Sequence, residues 1–419
     1  MKFLFRDEEM GRLESISLDA RQSGRIAWIC GRTGIGKSRL ASEFLKKRSG
    51  SSIKVSLKKF SSADDVIKSI MDAMRDAAGI RQTPSCLTIA QAFDYVLDIA
   101  RTSDILVCLD GADELEQAEK GFWTEFSKVW NEKCDKIRLF FIFCLTDQKK
   151  EFLESFENSV KIELQPFSLR QIRQILKKDG KNENSEDVIL LHALTGGVPG
   201  YVRTFVDQGV AGLEQFEELF RNPDSYFALE GERLLKGTFF SSFGVYASIL
   251  RKISLGCEKR AELQQEFRVN VGGYLSKLEH DFCLVCRAED VKTKKMSKKC
   301  RWRIADPFLD AWLSVLDGGE PLKDYLGRRF SGIAAEWLRE TGLFQEVGSW
   351  RDSRRQCGLP LIGIARDGAT VFLPGMWEEI PRSADFDRAL RIFSETAEIP
   401  LHRIRQKALS SQNLFLLDS

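Results

Sequence analysis

Eight consecutive residues near the start of the chain, Gly31-Arg32-Thr33-Gly34-Ile35-Gly36-Lys37-Ser38, constrain the fold more than any other feature. They come after a short apolar run, Ile26 to Cys30. They lead into a segment whose apolar members Leu40, Ala41, Phe44 and Leu45 recur at helical spacing. A strand, a glycine-rich turn and a helix in that order match the pattern G-x4-G-K-[ST]. Glycines let the backbone wrap an anion without a Cβ in the way, and a helix N-terminus offers unpaired N–H groups to phosphate. Residues Gly31 to Arg39 are therefore the candidate nucleotide-binding segment. Lys37 is expected to reach the β- and γ-phosphates, and the Ser38 hydroxyl to ligate Mg²⁺. The bland alternative is a glycine-rich turn that merely ends a strand.

Such a site needs a carboxylate at the tip of a neighbouring strand to hold the metal. Leu106-Val107-Cys108-Leu109-Asp110 supplies it about 70 residues further on. Asp110 is the metal-side acid in this reading and a simple turn cap in the other. The residue after it is less usual. Many P-loop ATPases carry Glu directly after that Asp, and here the position is Gly111. The string Leu109-Asp110-Gly111-Ala112-Asp113-Glu114-Leu115 looks like the corresponding region of the NACHT group among the STAND signalling ATPases, whose downstream acids serve the nucleotide site. Either Glu114 or Asp113 positions the attacking water, or both cap a helix that begins near Glu114. Slow turnover is the expectation. Thr146, closing the apolar run Phe140 to Leu145, is a candidate γ-phosphate sensor or else a helix N-cap.

Around these motifs, strand-like runs at Arg25–Cys30, Ser52–Leu57, Asp104–Leu109, Ile137–Leu145 and Val160–Leu164 alternate with helical periodicity. That alternation predicts an α/β fold with a parallel sheet covered on both faces, and near-continuous apolarity of the strands agrees. After about Pro166 helices take over. From Phe243 to Leu316, three helices and two strand-like runs, Asp281–Arg287 and Cys300–Ile304, have the layout of a winged helix-turn-helix. Gly318-Gly319-Glu320-Pro321 marks a further boundary. The division expected is a P-loop core at 1–165, a helical lid at 166–236, a winged helix at 237–318 and a small α+β domain at 319–419.

At 419 residues the chain is long enough for two or three domains, and 43% apolar with 30% charged residues is a globular composition. The longest apolar run, Leu139 to Leu145, is too short to span a bilayer, and Arg6-Asp7-Glu8-Glu9 interrupts the start before a signal-peptide core develops. A cytoplasmic protein with no membrane partner is expected. The ten cysteines, with Cys30, Cys108 and Cys144 inside or ending apolar runs, read as buried reduced thiols.

Several further pieces resemble the archaeal-type P-loop ATPases of the STAND class, which also occur in bacteria. Phe3, Arg6, Glu9 and Leu13 are similar to that family's opening F-x-x-R-x-x-E-x-x-x-L, which lies by the adenine pocket. Leu164-Gln165-Pro166-Phe167 resembles its L-x-P-F element. Thr195-Gly196-Gly197-Val198-Pro199-Gly200-Tyr201 resembles the T-G-G-x-P-x-Y segment of its lid, and Asp306-Pro307-Phe308 its D-P-F stretch. The resemblance implies nucleotide contacts by Arg6 and, unless Pro199 simply opens a helix, by Pro199. It also implies a C-terminal domain of the PD-(D/E)xK nuclease type. Glu336 then falls at the helical acid, but Pro360, Pro374 and Met376 stand where Asp, Glu and Lys are needed. No nuclease activity is expected, since a divalent metal has almost no ligands there.

Between Arg287 and Arg303 lie eight basic residues against two acids, Glu289 and Asp290. A basic wing of this kind either offers weak DNA contact or is a solvated wing within an intramolecular regulatory domain, and the second is the leading expectation. The recognition-helix segment Val271 to Glu279 carries only Lys277 as a cation, with Asn270 and Ser276 as base readers, which is poor equipment for direct readout. His280, Cys283, Cys286 and Cys300 invite zinc, set against which Cys283 and Cys286 would point to opposite faces of a strand. The leading expectation is an ATP/ADP- and Mg²⁺-dependent regulatory ATPase that switches conformation and acts on a protein partner, in a monomer or a homo-oligomer. The alternatives are a nucleotide-regulated DNA-binding protein and a nucleotide-binding scaffold without useful turnover.

Overall fold

The computed structural model describes residues 5–48, 52–57, 61–78, 84–146, 151–178, 184–238, 243–288, 291, 301–352, 357–377 and 385–418. They divide into two compact units, Met1–Pro166 and Phe167–Ser419.

The first unit runs α1 (Asp7–Asp19), β1 (Arg25–Cys30), α2 (Lys37–Lys47), β2 (Ser52–Ser56), α3 (Ala63–Ala78) and α4 (Ile89–Ile99). It continues with β3 (Ile105–Asp110), α5 (Glu114–Ala118), α6 (Phe122–Lys133), β4 (Leu139–Leu145) and β5 (Ser159–Glu163). The five strands form one sheet in the order β2-β3-β4-β1-β5, and every pairing is parallel. Chemistry explains why β4 is apolar throughout. Phe141, Phe143 and Leu145 face one core, with Trp28, Phe93 and Phe126. Phe140, Ile142 and Cys144 face the other, with Leu13, Leu40 and Phe44. A strand buried on both faces has no solvated side for polar residues. On the first face Trp28 stacks on Phe143 at 4.8 Å and Phe93 packs edge-on against Phe126 at 4.8 Å. Each such pair adds about 0.5–1.5 kcal/mol beyond area burial.

The second unit begins with five helices, α7 (Leu169–Lys178), α8 (Ser185–Thr195), α9 (Pro199–Gln208), α10 (Gly212–Arg221) and α11 (Tyr226–Thr238). Three more come next, α12 (Phe243–Ser254), α13 (Arg260–Glu266) and α14 (Val271–His280), then an antiparallel pair β6 (Val285–Ala288) and β7 (Arg301–Ile304). Tyr246, Ile249, Leu250 and Ile253 of α12, Leu263, Leu275, Leu278 and Trp302 share its core. After α15 (Pro307–Ala311) come α16 (Leu322–Thr341), β8 (Glu346–Arg351), β9 (Gly358–Ala365), β10 (Gly368–Pro374), α17 (Phe386–Ala397) and β11 (Ile404–Leu409). Their sheet has the order β11-β10-β9-β8, antiparallel except for β10 with β11.

The first hairpin strand begins later than the apolar pattern suggests. Cys283 precedes β6 altogether, with φ of 52°, so the opposite-faces argument about Cys283 and Cys286 does not apply. Cys300 and the lysines of the wing lie outside the described residues.

Three of the short sequence pieces meet in this unit. The Phe167 N–H donates to the Gly197 carbonyl at 2.7 Å, and Gly197 adopts φ of 71°, where a Cβ would lie 2.0 Å from the Phe167 carbonyl oxygen. A Cβ on Gly196 would meet the Pro307 ring at 3.0 Å. Pro199 opens α9, and Tyr201 packs on Phe308 with centroids 4.5 Å apart while its hydroxyl donates to Glu230 at 3.0 Å. Asp306 accepts from the Phe308 and Leu309 amides and caps α15. Phe167, the T-G-G-x-P-x-Y piece and the D-P-F piece thus form one packing knot within the second unit. Gly197→Ala is expected to lower the unfolding temperature of the full chain in calorimetry, at a cost of about 3 kcal/mol or more from left-handed strain plus the clash. An unshifted transition would contradict the close approach.

Candidate functional site

The C-terminal ends of three adjacent strands carry the candidate residues of the first unit. β4 lies between β1 and β3, with Leu145 beside Cys30 and Cys144 beside Asp110. Gly31 therefore leaves β1, Asp110 ends β3 and Thr146 comes directly after β4 along one edge of the sheet. Ligands of open parallel sheets gather at this edge, where successive connections diverge to either side. Here β1 connects through α2 to the far strand β2, whereas its other neighbour is β5.

The turn from β1 to α2 has left-handed or mirror-region backbone at Gly31, Gly34 and Gly36. The helix starts at Lys37 with Gly36 as its N-cap and no side chain capping it, which leaves the first turn suited to an anion. Ile35 is buried beneath the turn, while Thr33, Gly34 and Ser38 are exposed and Arg32, Lys37 and Arg39 are half-buried. The Lys37 ammonium donates to the carbonyls of Gly31 at 2.5 Å and Arg32 at 3.0 Å. Burial pushes its pKa down, and Cys144, Asp113, Asp110 and Cys30 pull it back up. A half-desolvated cation bonded to the turn and within the field of two acids is the electrostatic setting that suits a phosphate with its metal ion.

Arg6 is almost fully buried. Its guanidinium pairs with Glu9 at 2.8 Å and donates to the carbonyls of Ile35 at 3.3 Å and Gln165 at 2.7 Å. It ties the start of α1 to the main chain of the glycine-rich turn and to the segment leaving β5. Pro199 belongs to the second unit, where it occupies the first turn of α9.

The turn after Asp110 explains the missing glutamate. Gly111 has φ of 79°, and a Cβ there would lie 2.9 Å from the Leu57 carbonyl oxygen. The same turn is pinned by Leu57 N–H to the Asp110 carbonyl at 2.8 Å and Ala112 N–H to the Cys144 carbonyl at 3.1 Å. Glu114, the first residue of α5, is buried. Asp113 stands at the N-cap position of α5 without capping it. Its Oδ2 instead accepts from the Thr146 amide at 2.7 Å and the Thr146 hydroxyl at 2.8 Å. Sequence reasoning put Asp113 and Thr146 at the site separately and missed this bond, which no spacing signals. It also missed the Cys144 thiol, which lies in the field of Lys37 and whose pKa is pushed well up by a hydrogen bond with Cys108 and by burial. The segment after Thr146, where a helix cap was the alternative, lies outside the described residues.

Gly111→Glu installs the side chain that many P-loop ATPases carry at this position. It is nevertheless expected to lower thermal stability, by about 2 kcal/mol or more, and not to raise turnover. A stable variant that hydrolyses ATP faster than wild type would refute the backbone account.

Residues 20–149 match a family model described as an AAA domain. No curated protein matches the chain. Among solved structures, a Walker-type ATPase of Pyrococcus abyssi is similar at 17% identity and a TM-score of 0.52, over 74% of this chain and 96% of that one. The Aeropyrum pernix ORC1 protein in complex with DNA is similar at 16% identity and a TM-score of 0.38, over 75% of this chain and 93% of that one. A signal-transduction ATPase with numerous domains and a tetratricopeptide-repeat sensor, from Pyrococcus horikoshii, is similar at 13% identity and a TM-score of 0.33, over 81% of this chain and 47% of that one. At these identities the likeness concerns fold, and only the first reaches the level at which it carries weight. Among the described residues no helix is long and apolar enough to cross a membrane. The matched domain, the strand order and the glycine-rich turn agree on a P-loop NTPase fold for the first unit.

Proposed function

We propose that the protein is a cytoplasmic, slowly hydrolysing, Mg²⁺-dependent regulatory ATPase whose nucleotide state drives a conformational switch read by a protein partner or a second copy of the chain. The observation that carries this reading is the single sheet edge bearing the glycine-rich turn, Asp110 and Thr146, with Lys37 in the field of both Asp110 and Asp113. Lys37 and the amides of the turn to Arg39 hold the phosphates. Ser38 and Asp110 hold the metal ion, which when bound neutralises developing charge on the transferred phosphoryl group. Glu114 orients water. With glycine at the usual position of that acid, Glu114 acts from three residues further on, which is the reason for slow turnover. Arg6 supports the turn through Ile35.

The remaining division is likewise a proposal. Residues 1–165 are the core, 166–236 a lid, 237–318 a winged helix and 319–419 a nuclease-like α+β domain without nuclease chemistry. For the last, Pro360 and Pro374 lie in β9 and β10, and the Glu336 carboxylate is 3.2 Å from Nε2 of His192, whose pKa burial pushes down against the pull of that carboxylate. Glu336 thus has a structural partner.

The described hairpin cations favour an intramolecular role over nucleic acid. Arg287 pairs with Glu279 at 2.8 Å and lies over the Trp302 ring, and Arg301 and Arg303 approach Glu258 at 3.3 and 3.7 Å. Cations already neutralised release fewer counterions from DNA.

Lys37→Ala is expected to abolish nucleotide binding, measured by calorimetric titration with Mg-ATP. Glu114→Gln should keep binding and slow phosphate release by about 10²-fold or more. Unchanged turnover in Glu114→Gln would remove its role, and retained binding in Lys37→Ala would remove the site. Purified protein with Mg²⁺ or Mn²⁺ should leave DNA and RNA uncut; metal-dependent cleavage would overturn the reading of the C-terminal domain.

A further inference from the structure

We infer that Asp113 and Thr146 form a latch for which the γ-phosphate competes: Asp113 holds the Thr146 hydroxyl proton when no γ-phosphate is present and yields it when one arrives. This rests on the nucleotide-binding reading above and gives that site its means of telling ATP from ADP.

A threonine hydroxyl has one proton to donate, and a carboxylate only accepts. Asp113 Oδ2 receives that proton at 2.8 Å and the Thr146 amide at 2.7 Å. While the first bond stands, Thr146 has no hydroxyl proton for a phosphate oxygen. The two residues are 33 apart in sequence and come together only because β4 lies beside β3. Asp113 sits where a helix-capping side chain would turn toward its own helix, yet it makes no capping bond to α5. Its carboxylate is turned across the sheet edge, within the field of Lys37. A γ-phosphate gripped by Lys37 therefore arrives at the sheet edge where Asp113 holds the Thr146 hydroxyl.

Release of that bond has somewhere to go. Asp113 is joined directly to Glu114, whose amide is tied to the Gly111 carbonyl at 3.0 Å. The turn from Asp110 to Glu114 is thus one short hydrogen-bonded unit carrying the metal-side acid, the latch and the water-orienting acid. Asp113 acts through Thr146 and is a positioning residue.

The test is a double-mutant cycle on full-length protein. Dissociation constants for ADP and for a non-hydrolysable ATP analogue with an imido β–γ bridge are measured with Mg²⁺. Asparagine accepts the hydroxyl proton less strongly than a carboxylate, so Asp113→Asn should raise the preference for the analogue over ADP by about tenfold. Thr146→Val should lower it, and Thr146→Ser should keep the wild-type ratio. In the Thr146→Val background, Asp113→Asn should then change the ratio by less than about twofold. An equal rise in both backgrounds would mean simple charge repulsion, and equal changes for both nucleotides would mean a structural role; either overturns the latch. Wild-type protein that binds neither nucleotide would instead remove the functional reading on which the latch depends.

Discussion

The burial of β4 on both of its faces is the constraint on which the glycine-rich-turn end of the first unit depends. Phe141 and Phe143 lock it into one aromatic core and Phe140 and Ile142 into the other, so the strand cannot shift without exposing apolar surface on both sides. Its neighbours β1 and β3 take their register from it. That common register brings the glycine-rich turn, Asp110 and Thr146 level with one another. Functional side chains standing at the ends of rigid strands are held more closely than loops could hold them.

Much of this was legible in the sequence, for identifiable reasons. Strand-turn-helix punctuation around Gly31 to Ser38 is a local signal, and parallel strands buried on both faces announce themselves by unbroken apolarity. Asp110 needed only a strand end and a distance from the turn. What could not be read were features that depend on residues far apart. Gly111 looks like a lost catalytic acid until the Leu57 carbonyl is seen 2.9 Å from where its Cβ would be. Asp113 and Thr146 were each candidates, but no periodicity shows that one holds the other. Expectation and structure also parted over the hairpin, where Asp281 to Leu284 are apolar enough to suggest a strand and β6 begins only at Val285.

The second unit illustrates how short motifs can record packing. Gly196, Gly197, Phe167, Pro307 and Tyr201 belong to three separate sequence pieces, and their contacts explain the residue types without any ligand. One buried carboxylate of this unit likewise has a charged neighbour. Asp310 is buried with its nearest cation, Arg329, at 3.4 Å, and burial raises its pKa while Arg329 opposes. Losing either partner would strand an ion in a poorly solvated interior, a far larger penalty than the pair's net worth.

The two-faced character of β4 has an evolutionary corollary. Because side chains alternate strictly, deleting one residue between Leu139 and Leu145 would exchange every aromatic for its opposite number and pull Thr146 off its station. This segment can therefore tolerate substitution by apolar residues of similar bulk, but hardly any change in length, and lineages of the protein should diverge here by replacement rather than by insertion.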